Sequence, residues 1–350
     1  MREGRIVNEV FWIRSFACLA VAVIHAVYTT LENYEGVISQ LDEYILITIR
    51  FAAFFGTPAF VFISELLLAR VYPNALPEDF FWKRVQYLLL PFIFMGIVFA
   101  FVTNDNWSDI GMDALLNVFA GNYTGYFILV IFQFYLLHYL FHRFLRKSDP
   151  KIILPAALLI NVGYLACFNF IAFPENTVGA YMWERGYWLL FVGWIFYFTL
   201  GYYCGLHYPL IKEKIAHFKW SIVLLPLVSF IIMVFLVRTD LLTTVSSKRL
   251  DNIFYTIGVI SLIALATHRF EKVPRPVLFI SKHSFHIYLL HKIFLYYLPT
   301  IPGMPPLLYF VLALVYAVGT SILVSHILSS FRWSTYLIGK KLPVPNLIKT

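Results

Sequence analysis

Arg14 and His25 stand eleven residues apart in the run RSFACLAVAVIH, inside the first apolar segment of the chain. Eleven residues make three helical turns, so in a helix the two side chains share nearly one face, about 16 Å apart along the axis. Histidine is the side chain whose ordinary pKa suits proton transfer near neutral pH. A guanidinium offers a fixed fork of donors that fits phosphate and carboxylate oxygens. Further ionisable groups, Arg50, Lys282, His291 and Lys292, also fall within apolar segments. A charge at membrane depth costs a few kcal/mol on insertion scales, so each is a functional candidate. Taken singly, Arg14 could snorkel to lipid headgroups and His25 could be a satisfied bundle histidine. Both on one face, with more His and bases at depth, favour chemistry.

The elements that must position these residues follow from composition. The chain has 350 residues, 60% hydrophobic and only 13% charged, where soluble domains carry about 45–50% and about 25%. Disorder, a disulfide scaffold and an ordinary cytosolic enzyme are excluded. Apolar segments near 9–30, 43–69, 84–103, 124–142, 152–173, 187–207, 220–237, 251–268, 276–298 and 306–330 predict an all-α integral membrane protein. The expectation is a bundle of about ten transmembrane helices in a single domain over 1–350, with no separate soluble domain. The basic start and long apolar run, without a clean small-residue cleavage site, read as an uncleaved first span. No internal repeat points to an inverted-repeat transporter.

With the N-terminus placed inside, nineteen of the 27 Lys and Arg fall in cytoplasmic segments, Arg2, Arg5 and Lys349 among them. Only Arg185, Arg238, Lys248 and Arg249 fall outside, which predicts cytoplasmic N- and C-termini. The net charge of +8 is then a membrane-topology signal, and no nucleic-acid partner is expected. Cys18, Cys167 and Cys204 lie in apolar stretches without motif spacing, so neither a disulfide framework nor a metal site is expected. Outer segments TNDNWSDIGMD and AFPENTVGAYMWERGY read as loops, the second with Trp183 among Tyr, Asn, Glu and Arg. Such aromatics serve as interfacial anchors, and the same mixture suits a sugar-binding rim.

The Arg14–His25 pair in the first of ten spans resembles the acyltransferase-3 family of membrane O-acyltransferases. PAFVFISELLLARVY followed by FFWKRVQYLLLPF is similar to the family's second span, basic cytoplasmic turn and Arg before a Leu/Pro run. HSFHIYLLHKIFL resembles its Ser-Tyr-Ser-Ile-Tyr-Leu-Leu-His stretch, with Ser284, Tyr288 and His291 on matching positions. Glu65 stands where much of the family has glycine, and His286 replaces a serine. IRFAAFFGTPAFVFIS, GNYTGYFILVIFQF and GWIFYFTLGYYCG look most like the branch of the staphylococcal poly-N-acetylglucosamine system, regarded as O-succinyltransferases.

The resemblance implies transfer of an acyl group from cytoplasmic acyl-CoA, either succinyl-CoA or acetyl-CoA, to an exported glucosamine polysaccharide. Such a reaction needs a base near pH 7 and donors for a developing oxyanion. His25 takes the base role, and His291 with Tyr288 could orient it, donate to the oxyanion or bind the acceptor. Arg14, Lys83 and Arg84 suit the CoA phosphates. Arg50, with Lys292 as alternative, suits the carboxylate of a succinyl group; a plain ion pair with Glu32, Asp42 or Glu43 is the other reading of Arg50. Ser284 and Trp183 join the substrate-binding candidates. The expected partners are acyl-CoA, the extracellular glycan, the bilayer and a polysaccharide synthase complex, in a bacterial cell membrane. The competing class is a transporter that exports the polysaccharide. A wide polar channel would mark it, whereas the deep polar residues here are few and mostly His and bases. The other large family of membrane-bound O-acyltransferases would need its Asn and His in internal spans.

Overall fold

Some helices begin where the sequence supplies a side-chain cap. Ser39 accepts a hydrogen bond from the Asp42 amide at 3.1 Å, and Asp42 and Glu43 fill the first turn of α2 (Gln40–Ala52), where anions favour the positive end of the helix dipole. Asp149 caps α8 (Pro150–Phe170) on the Lys151 amide at 2.9 Å, with Pro150 in the first turn. Asn176 caps α9 (Thr177–Leu189) on the Gly179 amide at 2.7 Å. The computed structural model describes residues 7–171 and 174–343. Arg2, Arg5 and Lys349, counted above as cytoplasmic bases, lie outside them. No strand occurs among the described residues.

The remaining helices are α1 (Asn8–Asn33), α3 (Gly56–Val71), α4 (Phe80–Arg84), α5 (Leu90–Thr103), α6 (Trp107–Phe119), α7 (Phe127–Lys147), α10 (Ile195–Leu206), α11 (Tyr208–Lys214), α12 (Lys219–Arg238), α13 (Asn252–Thr267), α14 (Arg275–Tyr296), α15 (Pro306–Leu328) and the short α16 (Ser334–Leu337). Eight helices or helical runs are long and apolar enough to cross a bilayer. Two of the ten expected spans fall short for identifiable reasons: α13 has 16 residues, and α14 carries Lys282, three histidines and Lys292. The protein is an all-α, multi-pass membrane protein.

Three local features depart from the expected segments. The span expected over 43–69 breaks after Ala52, where the Ala53 amide returns to the Ile49 and Arg50 carbonyls, and resumes at Gly56. Val85–Leu89 is a one-turn π-bulge between α4 and α5. The segments read as outer loops instead contain α6 and α9; their alternating apolar and polar residues form amphipathic helices, which a search for uniformly apolar runs passes over.

The chain divides into two compact units interleaved in sequence. The first comprises the described residues of 1–13, 55–78 and 129–272. Its helices approach closely where glycine replaces bulk. A Cβ on Gly201 would stand 2.5 Å from the Phe62 carbonyl oxygen, and one on Gly205 would stand 2.4 Å from that of Leu66. This small-xxx-small face seats α10 directly on the backbone of α3. Gly201→Ala is expected to lower stability by about 1–3 kcal/mol, because the obstruction is backbone and cannot rotate away. Gly163→Ala in α8, where nothing lies within 4 Å, is the control and should be neutral or better. Thermal unfolding of the two detergent-purified variants checks the contrast.

The second unit comprises the described residues of 14–54, 79–128 and 273–350. Within it α1 and α14 run parallel. Ser15 donates to the Val277 carbonyl at 2.7 Å, the Cys18 thiol to that of Ser284 at 3.6 Å, and the Asn33 amide to that of Leu298 at 3.0 Å. Ala26, Val27, Leu46, Leu295, Tyr309 and Ala313 form a core at the Asn33 end.

Candidate functional site

The α1–α14 register carries the first polar cluster. One third of the way back from the Asn33 anchor, the His25 and His291 rings meet with centroids 5.1 Å apart and planes at 48°. His291 Nδ1 lies 2.7 Å from the Ile287 carbonyl oxygen. A carbonyl only accepts, so Nδ1 carries the proton and Nε2 of the neutral ring keeps its lone pair. Nε2 is buried and has no hydrogen-bond partner among the described residues. His25 is half-buried. A ring locked in one tautomer beside a partly accessible one is an arrangement that can accept and pass a proton.

Tyr28, one turn beyond His25, brings two cations to the same place. The Lys292 ammonium lies 4.8 Å from its ring centroid and the Arg50 guanidinium 5.8 Å from it. Among the described residues no carboxylate is within ion-pair distance of Arg50, and its Nε is buried without a hydrogen-bond partner. Arg50 lies in the last turn of α2, a position where the helix dipole also favours a cation. A pocket of about 460 Å³ opens here, lined by Tyr28, Glu32, Glu35, Glu43 and Arg50 among others.

The other expected site residues are placed as follows. Arg14 is half-buried in the second unit, at the opposite end of the α1–α14 pair, next to the Ser15 anchor. Lys83 pairs with Asp79 on the surface, and the Arg84 guanidinium sits 4.8 Å from the Phe80 ring centroid. Tyr288 donates its hydroxyl to the Thr124 carbonyl at 2.8 Å, which pins the turn before α7. Ser284 donates to the Ser281 carbonyl at 2.9 Å. Both hydroxyls are engaged with backbone. Trp183 belongs to the first unit, where its ring packs on Phe168 at 4.6 Å. The structure thus gathers His25, His291, Arg50 and Lys292 around Tyr28.

Two buried polar groupings in the first unit lie outside the expected site, and of their residues the sequence singles out only Glu65, as a departure from the family pattern. Glu65 and His138, each 1% exposed, meet at 2.5 Å between Oε1 and Nδ1. The His138 ring stacks on His142 at 5.5 Å. Two ionisable residues inside apolar segments were the available signal. In the loop after α12, Lys248 and Arg249 are fully buried. The Lys248 ammonium donates to the Tyr187 and Trp188 carbonyls and lies 4.5 Å from the Trp194 ring centroid; burial holds its pKa well below that of an ordinary lysine. Arg249 forms a bidentate pair with Asp251 at 2.9 and 2.6 Å.

Comparison with known proteins bears on the chemistry. The acyltransferase-3 model, described as an acyltransferase domain, matches residues 7–326. A Bacillus subtilis (strain 168) protein named "Putative membrane-bound acyltransferase YfiQ" is 35% identical, covering 95% of this chain and 94% of its own. A Staphylococcus aureus (strain N315) protein named "Probable poly-beta-1,6-N-acetyl-D-glucosamine export protein" is 28% identical over 95% of this chain and 96% of its own. A Staphylococcus epidermidis protein of the same name is 27% identical, over 95% and 94%. No solved structure matches.

Proposed function

This chain belongs to the acyltransferase-3 family of membrane proteins, and from that premise we propose that it moves an acyl group from cytoplasmic acyl-CoA to hydroxyls of an exported glucosamine polysaccharide. The observation that carries the reading is the His25–His291 contact on the α1–α14 pair, with Arg14 at the far end of the same helix. His25 removes the proton of the acceptor hydroxyl as that oxygen attacks the thioester carbonyl. The proton passes to the departing CoA thiolate. His291, held by Ile287, orients His25 by ring contact. Arg14 and Arg84 bind donor phosphates, and the thioester reaches the histidines along the length of an extended pantetheine arm. Arg50 and Lys292 suit a donor that ends in a carboxylate, which makes succinyl the favoured group. A synthase complex delivering the polysaccharide fits an acceptor site near the pocket beside Tyr28.

The names of the staphylococcal relatives favour a second reading, export of the polysaccharide itself. Mass spectrometry of polymer from cells with and without this protein separates the two. An acyl increment on the polymer, lost on deletion, supports transfer; unmodified polymer retained inside deleted cells supports export. Donor binding has its own test. Arg14→Ala and Arg84→Ala should each weaken acyl-CoA binding by roughly 10–150-fold, since a charge-assisted bond is worth about 1.5–3 kcal/mol. Unchanged affinity in detergent returns both arginines to a packing or snorkelling role.

A further inference from the structure

At the end of the second unit opposite the His25–His291 pair, the chain's last described segment is strapped onto α14. The Leu342 amide donates to the Lys282 carbonyl at 3.0 Å, and His286 Nε2 donates to the Gly339 carbonyl at 3.2 Å. Gly339 turns with φ +85°, and a Cβ there would stand 2.2 Å from the Phe285 ring. Only glycine meets both demands, so the strap is tightly specified. Lys340 then covers the Tyr87 ring at 4.2 Å, three residues beyond Arg84.

The strap gathers basic groups from three separate parts of the chain. Lys341 donates to the Ser329 hydroxyl at 2.9 Å, just past the end of α15. Burial and the neighbouring Lys282 ammonium both lower its pKa. His283 lies within the fields of Lys341, Lys282 and His326. Among the described residues no Asp or Glu is in ion-pair reach of any of these four. Packing like charges together without a carboxylate is unfavourable unless an anion joins them.

We infer that Lys282 and Lys341 form a phosphate-ester site that holds the nucleotide end of the acyl donor. The inference rests on the acyl-CoA reading above and extends it to residues outside the expected Arg14, Lys83 and Arg84 set. Lysines serve phosphates as compact point charges without bidentate geometry. The placement agrees with a donor laid along α14: Lys282 is nine residues before His291, about 14 Å along the axis. It also lies at the Arg14 end of the register set by Ser15 and Val277. An anionic lipid headgroup is the other phosphate ester a membrane offers.

The test is equilibrium binding of CoA to the full chain in phosphatidylcholine nanodiscs, comparing wild type with the Lys282→Gln/Lys341→Gln double variant. The double variant should bind CoA at least about tenfold more weakly, since two charge-assisted contacts are lost. Lys282→Arg/Lys341→Arg keeps the charges and should retain most of the affinity. It also serves if the glutamine variant does not fold. If wild type binds CoA and the folded glutamine variant binds it equally, this site is wrong while the donor reading stands. No CoA binding by wild type overturns both. Loss of co-purified phosphatidylglycerol from the glutamine variant, with CoA affinity intact, assigns the cluster to lipid and overturns the inference.

Discussion

Replacing His25 by alanine should leave an inserted, folded protein that acylates its glycan about 10²–10⁴-fold more slowly, the usual loss on removing a general base. Alanine is the best helix former, so α1 should persist. The Ser15 and Asn33 anchors to α14 do not involve the deleted ring. What disappears is the half-buried imidazole beside His291. His291 cannot simply take over, because its Nδ1 proton is committed to Ile287 and its Nε2 is buried. The assay is acyl incorporation by membranes with matched protein levels. Near-wild-type incorporation removes His25 from the mechanism and leaves the ring pair as packing.

Arg50→Leu should discriminate between donors. If the guanidinium pairs with a terminal carboxylate, its loss strands that charge, a penalty on the order of 3–5 kcal/mol when one partner of a buried pair is deleted. Arg50 is only partly buried, so solvent screening places the effect toward the lower figure. Succinyl transfer should then fall by about two orders of magnitude. Acetyl transfer, which has no charge to strand, should fall much less. The measurement is the ratio of succinyl-CoA to acetyl-CoA turnover in wild type and variant. An equal fall with both donors makes Arg50 a helix-end cation for α2, in keeping with its place in the last turn. Lys292, 4.8 Å from the Tyr28 ring centroid, is then the next residue to replace.

How far the sequence reveals such a site depends on the range over which its parts act. The Arg14–His25 spacing is periodic within one helix, so its shared face is legible without coordinates. His291 and Tyr288 are visible as polar residues in an apolar run, but only the structure separates a ring in contact with His25 from a hydroxyl spent on Thr124. The break at Ala53 escapes because both sides are equally apolar, and hydropathy does not register a carbonyl that loses its partner. α6 and α9 escape for the converse reason: their polar residues resemble loop composition until helical spacing sorts them. Glu65 and His138 are 73 residues apart, and Lys282 and Lys341 meet only through the backbone bond at Leu342. No period in the chain announces such encounters. The burial of Lys248 and Arg249 likewise runs against their residue types, because four backbone carbonyls and Asp251 take the place of water.

The parallel register of α1 and α14 has a consequence for which donors can be used. Three side-chain-to-backbone ties, at Ser15, Cys18 and Asn33, join α1 to α14 and the turn after it at successive levels. The pair is therefore a gauge of depth. On the proposed acyl-CoA reading, a thioester carbonyl whose nucleotide is anchored at one end would arrive at the histidine level at a height set by the pantetheine alone. Extra methylenes on the acyl side would project past that mark toward Tyr28, Arg50 and Lys292. Tolerance for acyl length would then be decided beyond the gauge, in the 460 Å³ pocket, while the reacting carbon would stay at one height whatever it carried.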